Sequence, residues 1–303
     1  MKRVADVSWD QLEGSLMDRV MLRNLSPQYR TFLRQFIKPW REALGDVNPA
    51  AVTLKELQNC ILTWMKANLK TRTINHRIRC IKILFNHATK EGLIKENPTE
   101  KLEMQKENAE PIQAFSNDQV RTLLAQPDKT TFVGYRDYCM MLVLLDTGMR
   151  LKELIALTLD DVELDRGVIR LSAANTKGRK FREVYIQKRC TEALRTYLRY
   201  RGKAGVETDS FWISADSGGG LSRTDFQWRV RSYGRAAGIK GARCSPHTFR
   251  HTFARMFISA GGDGLVLMQI LGHTSMDMVR KYVNLWSIDK KRLHAKYSPV
   301  ENL

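Results

Sequence analysis

The stretch YRDYCMMLVLLDTGMRLKELIAL, residues 135–157, decides the fold. Its first part is apolar on nearly all sides. A helix of that kind needs neighbours all round it, so it reads as the central helix of a domain. Gly148 ends it, and MRLKELIAL begins a new helix directly beyond.

Outward from this core, SNDQVRTLLAQP opens with a capping box, Ser116 followed by Gln119. Before it, KLEMQKENAEPIQAF (101–115) is polar, lacks periodicity and holds Pro111, the pattern of a linker. On the other side, GVIRLS and REVYIQ alternate in polarity and are joined by AANTKGRKF, a β-hairpin pattern. The remainder returns to helix, broken by SADSGGGLS. No internal repeat is visible. The expectation is a mainly α chain with a small β-sheet: a helical domain over 1–105, a linker over 106–111 and an α+β domain over 112–303.

Helical periodicity dominates the first hundred residues. SPQYRTFLRQFIKPWREALG starts with Ser26 as cap and Pro27 at the first helical position. Tyr29, Phe32, Leu33 and Phe36 form one face; Arg30, Arg34 and Lys38 form another, and Pro39 should kink or end the helix. TLKELQNCILTWMKANL reads as a second helix. In the next, Ile74, Ile78, Ile81 and Phe85 make an apolar stripe that Gly92 ends, opposite Arg72, Asn75, His76, Arg79 and Lys82. Each basic stripe suits a grip on duplex nucleic acid; an ordinary solvated face explains either one equally well.

The 303 residues carry 50 Lys and Arg against 32 Asp and Glu, a net charge of +18. That excess favours a polyanionic partner, nucleic acid above all, over an even coat of lysine, because the basic residues cluster. No apolar run approaches the roughly 18 to 20 residues of a membrane span, and the N-terminus has no secretory apolar core. Five cysteines lie scattered with no C-x-x-C pair. Such spacing argues for a reducing cytoplasm and against a disulfide frame or a thiolate zinc site.

SPHTFRHTFA, 245–254, sets His247 and His251 one helical turn apart. A zinc-protease helix has this spacing but needs Glu after the first histidine, and Thr248 stands there. An anion fits better. Ser245 and Pro246 mark a helix N-terminus, and His247 and Arg250 project from one side of its first turn. Guanidinium can hold two phosphate oxygens while imidazole donates to one or moves a proton. One His-x-x-Arg occurs often by chance.

TGMRLKELIALTLDDV, NTKGRKFREVYI, SPHTFRHTFA and LGHTSMDMVRKY, in this order, resemble the boxes of the tyrosine recombinases, the phage-integrase and Xer-like family. The likeness spans about 112–297, and the preceding helices resemble the family's core-binding domain more loosely. It implies that Tyr282 attacks the scissile phosphodiester, forming a 3′-phosphotyrosyl link and releasing a 5′-hydroxyl. Arg150 and Arg250 match the clamp on the non-bridging oxygens, and His247 the histidine that assists proton transfer. His273 matches a position that hydrogen-bonds the phosphate. Lys177, rather than Lys180, matches the lysine that protonates the leaving oxygen, and Glu153 an acid that supports the site. His251 is expected to have a structural, hydrogen-bonding role.

The resemblance further implies no metal or other cofactor, a C-shaped clamp on double-stranded DNA with inverted half-sites, and strand exchange through a Holliday junction. Four protomers would act on two DNA sites, with accessory DNA-binding proteins as further partners. The tail stripe Leu285, Ile288, Leu293 and Tyr297 would pack into a neighbouring protomer. Two other readings stay open: a type IB topoisomerase that nicks and reseals one strand, and a non-catalytic DNA-binding regulator. Taken singly, each residue also has a plain reading, Arg150 and Glu153 as a surface ion pair, His273 as a core histidine, Tyr282 as one packed aromatic.

Overall fold

The computed structural model describes residues 6–107, 112–173, 181–216 and 218–272, with 280, 282, 294, 295, 298 and 300. The chain divides into two compact units, Met1–Glu110 and Pro111–Leu303. No helix among the described residues is long and apolar enough to cross a membrane.

The first unit holds α1 (Trp9–Leu22), α2 (Pro27–Leu44), α3 (Leu54–Lys66) and α4 (Thr71–Lys90). Side chains close three of their N-termini: Ser8 with Gln11, Ser26, and Thr53 with Glu56. Helix α4 packs against the other three, and its stripe Ile74, Ile78, Ile81 and Phe85 is buried among them. On α2 the fully buried seam is Leu33, Ile37 and Trp40, while Tyr29, Phe32 and Phe36 are half-buried beside it. Pro39 does not end α2, which runs on to Leu44. The turn beyond it is held by Trp40, which packs edge-on against Trp64 and donates its indole N–H to the carbonyl of Arg77 at 2.9 Å. That burial offsets a proline cost of about 3 kcal/mol.

The second unit is built round α6 (Phe132–Thr147), with α5 (Asn117–Ala125), α8 (Lys188–Lys203) and α10 (Pro246–Ser259) packed against it. Cys139, Met140, Met141, Val143 and Leu144 are fully buried, as a helix apolar all round requires. Arg136 and Asp137 are buried there too. They pair with each other, and Asp137 also accepts from the Tyr233 hydroxyl on α9 (Arg223–Ala236) at 2.9 Å. The hairpin strands are β2 (Val168–Leu171) and β3 (Arg182–Tyr185), antiparallel with Val168 opposite Tyr185 and Leu171 opposite Arg182. A third strand, β1 (Val162–Glu163), pairs with β2 and had no signal in the sequence, being only two residues long. Two short helices, α7 (Leu151–Ile155) and α11 (Gly264–Leu271), complete the surroundings of the site.

Candidate active site

Gly148 creates the entry to the site. It closes α6 in the left-handed conformation, φ +61°, and turns the chain so that Arg150 caps α7. The Glu153 carboxylate accepts from the Arg150 backbone N–H at 2.8 Å and from its guanidinium at 3.0 Å. The same carboxylate accepts twice from Arg182, at 2.7 and 3.2 Å. Glu153 is 1% exposed, so this is a buried brace and not a surface ion pair. Burial alone would raise its pKa, but the Arg182 bonds, the Arg150 N–H and both positive charges hold it below the usual carboxylate value.

Helix α10 starts at Pro246 with Ser245 as cap, which places His247 and Arg250 on its first turn. Arg250 is 1% exposed and donates to the carbonyls of Gly148 at 2.8 Å and Leu271 at 2.7 Å. These carbonyls lie at the C-termini of α6 and α11, where the helix dipoles favour a cation. Burial and the neighbouring Arg150 charge push Arg250 down to about 9, which leaves it positive at neutral pH. Arg182 donates to the carbonyl of Ile270 at 3.1 Å and Arg150 reaches that of Gly272 at 3.5 Å. Three guanidinium groups thus converge on the end of α11. The Arg150 side chain is 25% exposed against 12% for Arg182, so among these groups it opens most to an incoming anion.

Tyr282 is 1% exposed and packs with Ala254, Ile258, Leu267 and Leu271 between α10 and α11. Burial raises its phenol pKa, while the charges of Arg250 and Arg150 both act on it in the opposite direction. Its hydroxyl forms a hydrogen bond of 2.8 Å with Nδ1 of His251. The His251 ring lies edge-on to that of His247, with centroids 4.4 Å apart. His247 is exposed. Partial loss of water, with Arg250 and Arg150 nearby, holds its imidazole below the usual range and so neutral at pH 7.

Arg150, Glu153, Arg250, His247 and Tyr282 therefore belong to one neighbourhood. Lys177, Lys180 and His273 lie outside the described residues, as do Leu285, Ile288, Leu293 and Tyr297 of the tail. Two members escaped the sequence reading. Arg182 stands at the first residue of β3, where only its alternation with Val184 pointed it inward. His251 makes the hydrogen bond expected of it, but its partner is Tyr282, which places it in the site; its i, i+4 spacing from His247 is the available signal. Among the described residues no group of His, Cys, Asp or Glu is placed to hold a metal ion.

The basic faces of the first unit need one correction. Asn75 does not lie on an exposed stripe: it is 3% exposed, and its amide donates to the Gln105 carbonyl and the Glu107 carboxylate while accepting from the Gln105 N–H. A short amide at that position closes a loop that periodicity alone does not reveal. Lys82 is half-buried and donates to the Leu102 carbonyl at 2.5 Å. Arg72 and Arg79 are exposed on α4, as are Arg34 and Lys38 on α2, with Arg30 half-buried. Lys38 pairs with Glu42 at 3.6 Å, so the α2 face is mixed in charge.

Residues 113–287 match the phage integrase family, and residues 28–106 match the phage integrase SAM-like domain. The tyrosine recombinase XerC of Chlamydia caviae is 30% identical over 244 residues, 79% of this chain and 76% of the relative. The tyrosine recombinase XerD of Pseudomonas aeruginosa is 29% identical over 300 residues, 98% of this chain and 96% of the relative. The structure of the XerH site-specific recombinase bound to palindromic difH substrate superposes with a TM-score of 0.74 at 21% identity, covering 96% of this chain and 84% of that one. The helical unit and the three-stranded sheet are shared with solved recombinases, and the family match with its Xer relatives identifies a DNA recombinase. The chain belongs to the phage integrase family, the tyrosine recombinases.

Proposed function

We propose that this recombinase cuts and rejoins duplex DNA through a covalent 3′-phosphotyrosyl link on Tyr282, with Arg150 and Arg250 holding the non-bridging phosphate oxygens. The observation that carries the reading is geometric: Tyr282, a buried tyrosine, packs between α10 and α11, with its hydroxyl 2.8 Å from His251, the residue next to Arg250 on α10. A phenol with an ordinary pKa of about 10 is a weak nucleophile at neutral pH. Fixed cations lower the cost of its ionisation and of charge gathering on phosphorus. Glu153 holds Arg150 in place, and its bonds to two arginines restrict the guanidinium to one orientation.

By the family likeness Lys177 protonates the leaving 5′-oxygen and His273 touches the phosphate. The link conserves the energy of the broken phosphodiester, so strand exchange through a Holliday junction needs no nucleotide cofactor. The net charge of +18 supports a duplex DNA partner, as does the relative solved on its DNA substrate. The reading extends to four protomers on two sites with inverted half-sites, acting in the cytoplasm.

A nicked suicide substrate tests it. The parent chain traps an SDS-resistant protein–DNA complex, and Tyr282→Phe abolishes that complex while DNA binding persists. Capture by the Phe variant would overturn the assignment. Removing residues from Ser287 onward should weaken assembly on paired sites; unchanged cooperativity would remove the tail from the scheme.

A further inference from the structure

The second histidine of SPHTFRHTFA, expected to have a structural, hydrogen-bonding role, makes its hydrogen bond to Tyr282. The hydrogen bond between the Tyr282 hydroxyl and Nδ1 of His251 is 2.8 Å long, a distance over which a proton passes directly between heteroatoms. His247 lies one turn earlier on α10, exposed, with its ring against that of His251. A row therefore runs from the buried phenol through one imidazole to a second that meets water.

We propose that His251 is the proton acceptor for Tyr282, and that His247 is thereby left to engage the phosphate and to connect His251 with solvent. The proposal rests on Tyr282 being the nucleophile. A neutral His251 with its ring proton on Nε2 presents the Nδ1 lone pair to the phenol. As the phenolic oxygen bonds to phosphorus, the O–H proton moves to Nδ1 and the bond from phosphorus to the 5′-oxygen breaks. That oxygen takes its proton from the general acid. Religation runs backwards: a 5′-hydroxyl attacks phosphorus and gives its proton back to the deprotonated general acid, the bond from phosphorus to the phenolic oxygen breaks, and the departing phenolate recovers its proton from His251. Atoms and charge balance without an added reactant.

The groups facing His251 fit this role. Tyr282 lies on one side of it and His247 on its own helix. Arg250 lies one residue earlier and, with Arg150, supplies the positive charge that acts on the phenol. Helix α11, GLVLMQIL, brings no titratable side chain. Arg250 and Arg150 act on both ring neighbours of His251, the Tyr282 phenol and the His247 imidazole, so a proton passed along this row moves within a positive field.

His251→Asn separates proton transfer from holding, because the Asn carbonyl still accepts a hydrogen bond but does not titrate near neutrality. Single-turnover capture on the nicked substrate at saturating DNA should slow by about 100-fold or more in this variant. In His251→Ala the loss should be similar, and added imidazole should restore part of the rate, an effect that a purely structural role would not give. Native-like unfolding of the Asn variant and unchanged DNA affinity establish that the loss is chemical. Capture by His251→Asn at or above the parental rate, or a slow Ala variant indifferent to imidazole, would overturn the proposal. Capture by Tyr282→Phe would instead sink the nucleophile assignment, so the two failures are distinct.

Discussion

Arg182 grips Glu153 through two bonds, 2.7 and 3.2 Å long, from the first residue of a strand to the first turn of a helix. The same guanidinium donates to the carbonyl of Ile270 at 3.1 Å. One side chain therefore ties together the hairpin, the brace beneath Arg150 and the end of α11, from which the chain enters the stretch carrying His273 and Tyr282. On the proposed reading, in which Arg150 holds a phosphate oxygen, Arg182 acts through Glu153 and is a positioning residue.

Arg182→Gln should leave DNA affinity within a few-fold of the parent and lower the rate of covalent capture by about 100-fold, the cost of a roughly 1 Å misplacement of a catalytic group. Arg182→Lys should recover part of that rate, since an ammonium can still satisfy one oxygen of Glu153. Parallel losses of affinity and rate in the Gln variant would contradict a positioning role.

Glu153 gives the site a pH signature. Its carboxyl has a depressed pKa in the folded protein, so the stability it contributes is fully present above the ordinary value of 4.5 and is lost as pH falls through the lower folded value. Glu153→Gln leaves two guanidinium groups without their counter-charge and should cost about 3–5 kcal/mol near neutrality. Urea unfolding of parent and variant should differ most at pH 6–7, and the gap should start to shrink only below the ordinary value of 4.5, narrowing further as pH falls through the depressed folded value. A gap constant across that range would show that the ion pairs do not carry the effect.

Gly148 tests the geometry that starts the site. At φ +61° a β-carbon would stand 2.5 Å from a ring carbon of Phe253 and 2.7 Å from a methyl of Leu271. Gly148→Ala should lower unfolding stability by about 3 kcal/mol, from left-handed strain and overpacking together. Adding Phe253→Leu relieves only the crowding, so the double variant should recover part of the loss. Full recovery would mean that the backbone angle costs nothing there.

The central helix, the hairpin and the capped starts of α2 and α5 were legible because short-range rules create them: unbroken apolarity, alternation, and Ser at the cap. Arg150, Glu153, His247, Arg250 and Tyr282 were legible only jointly, through the order of the boxes; any one of them reads equally well as an ordinary ion pair or packed aromatic. Arg182 and His251 were not, because their partners lie 29 and 31 residues away in the chain and no local spacing encodes such contacts. Asn75 failed for the same reason: helical periodicity placed it beside Arg72 and Arg79, whereas its partners, Gln105 and Glu107, follow 30 and 32 residues later. Amphipathic period identifies a face of a helix. It does not identify the loop that returns to cover that face.

Asn75 and Arg79, one turn apart on α4, should consequently fail in opposite ways. Asn75→Ala leaves the N–H and carbonyl of Gln105 without their partner and should destabilise the first unit by about 1–3 kcal/mol. DNA affinity should be unchanged at temperatures where the variant stays folded. Arg79 is exposed, with His76 beside it at 3.4 Å. Arg79→Ala should leave thermal unfolding where it was, weaken DNA binding across sequences and reduce the slope of log affinity against log salt by about one. If instead Asn75→Ala lowered affinity with stability intact, the buried amide would be reading DNA after all, and the loop over α4 would have to open to let it.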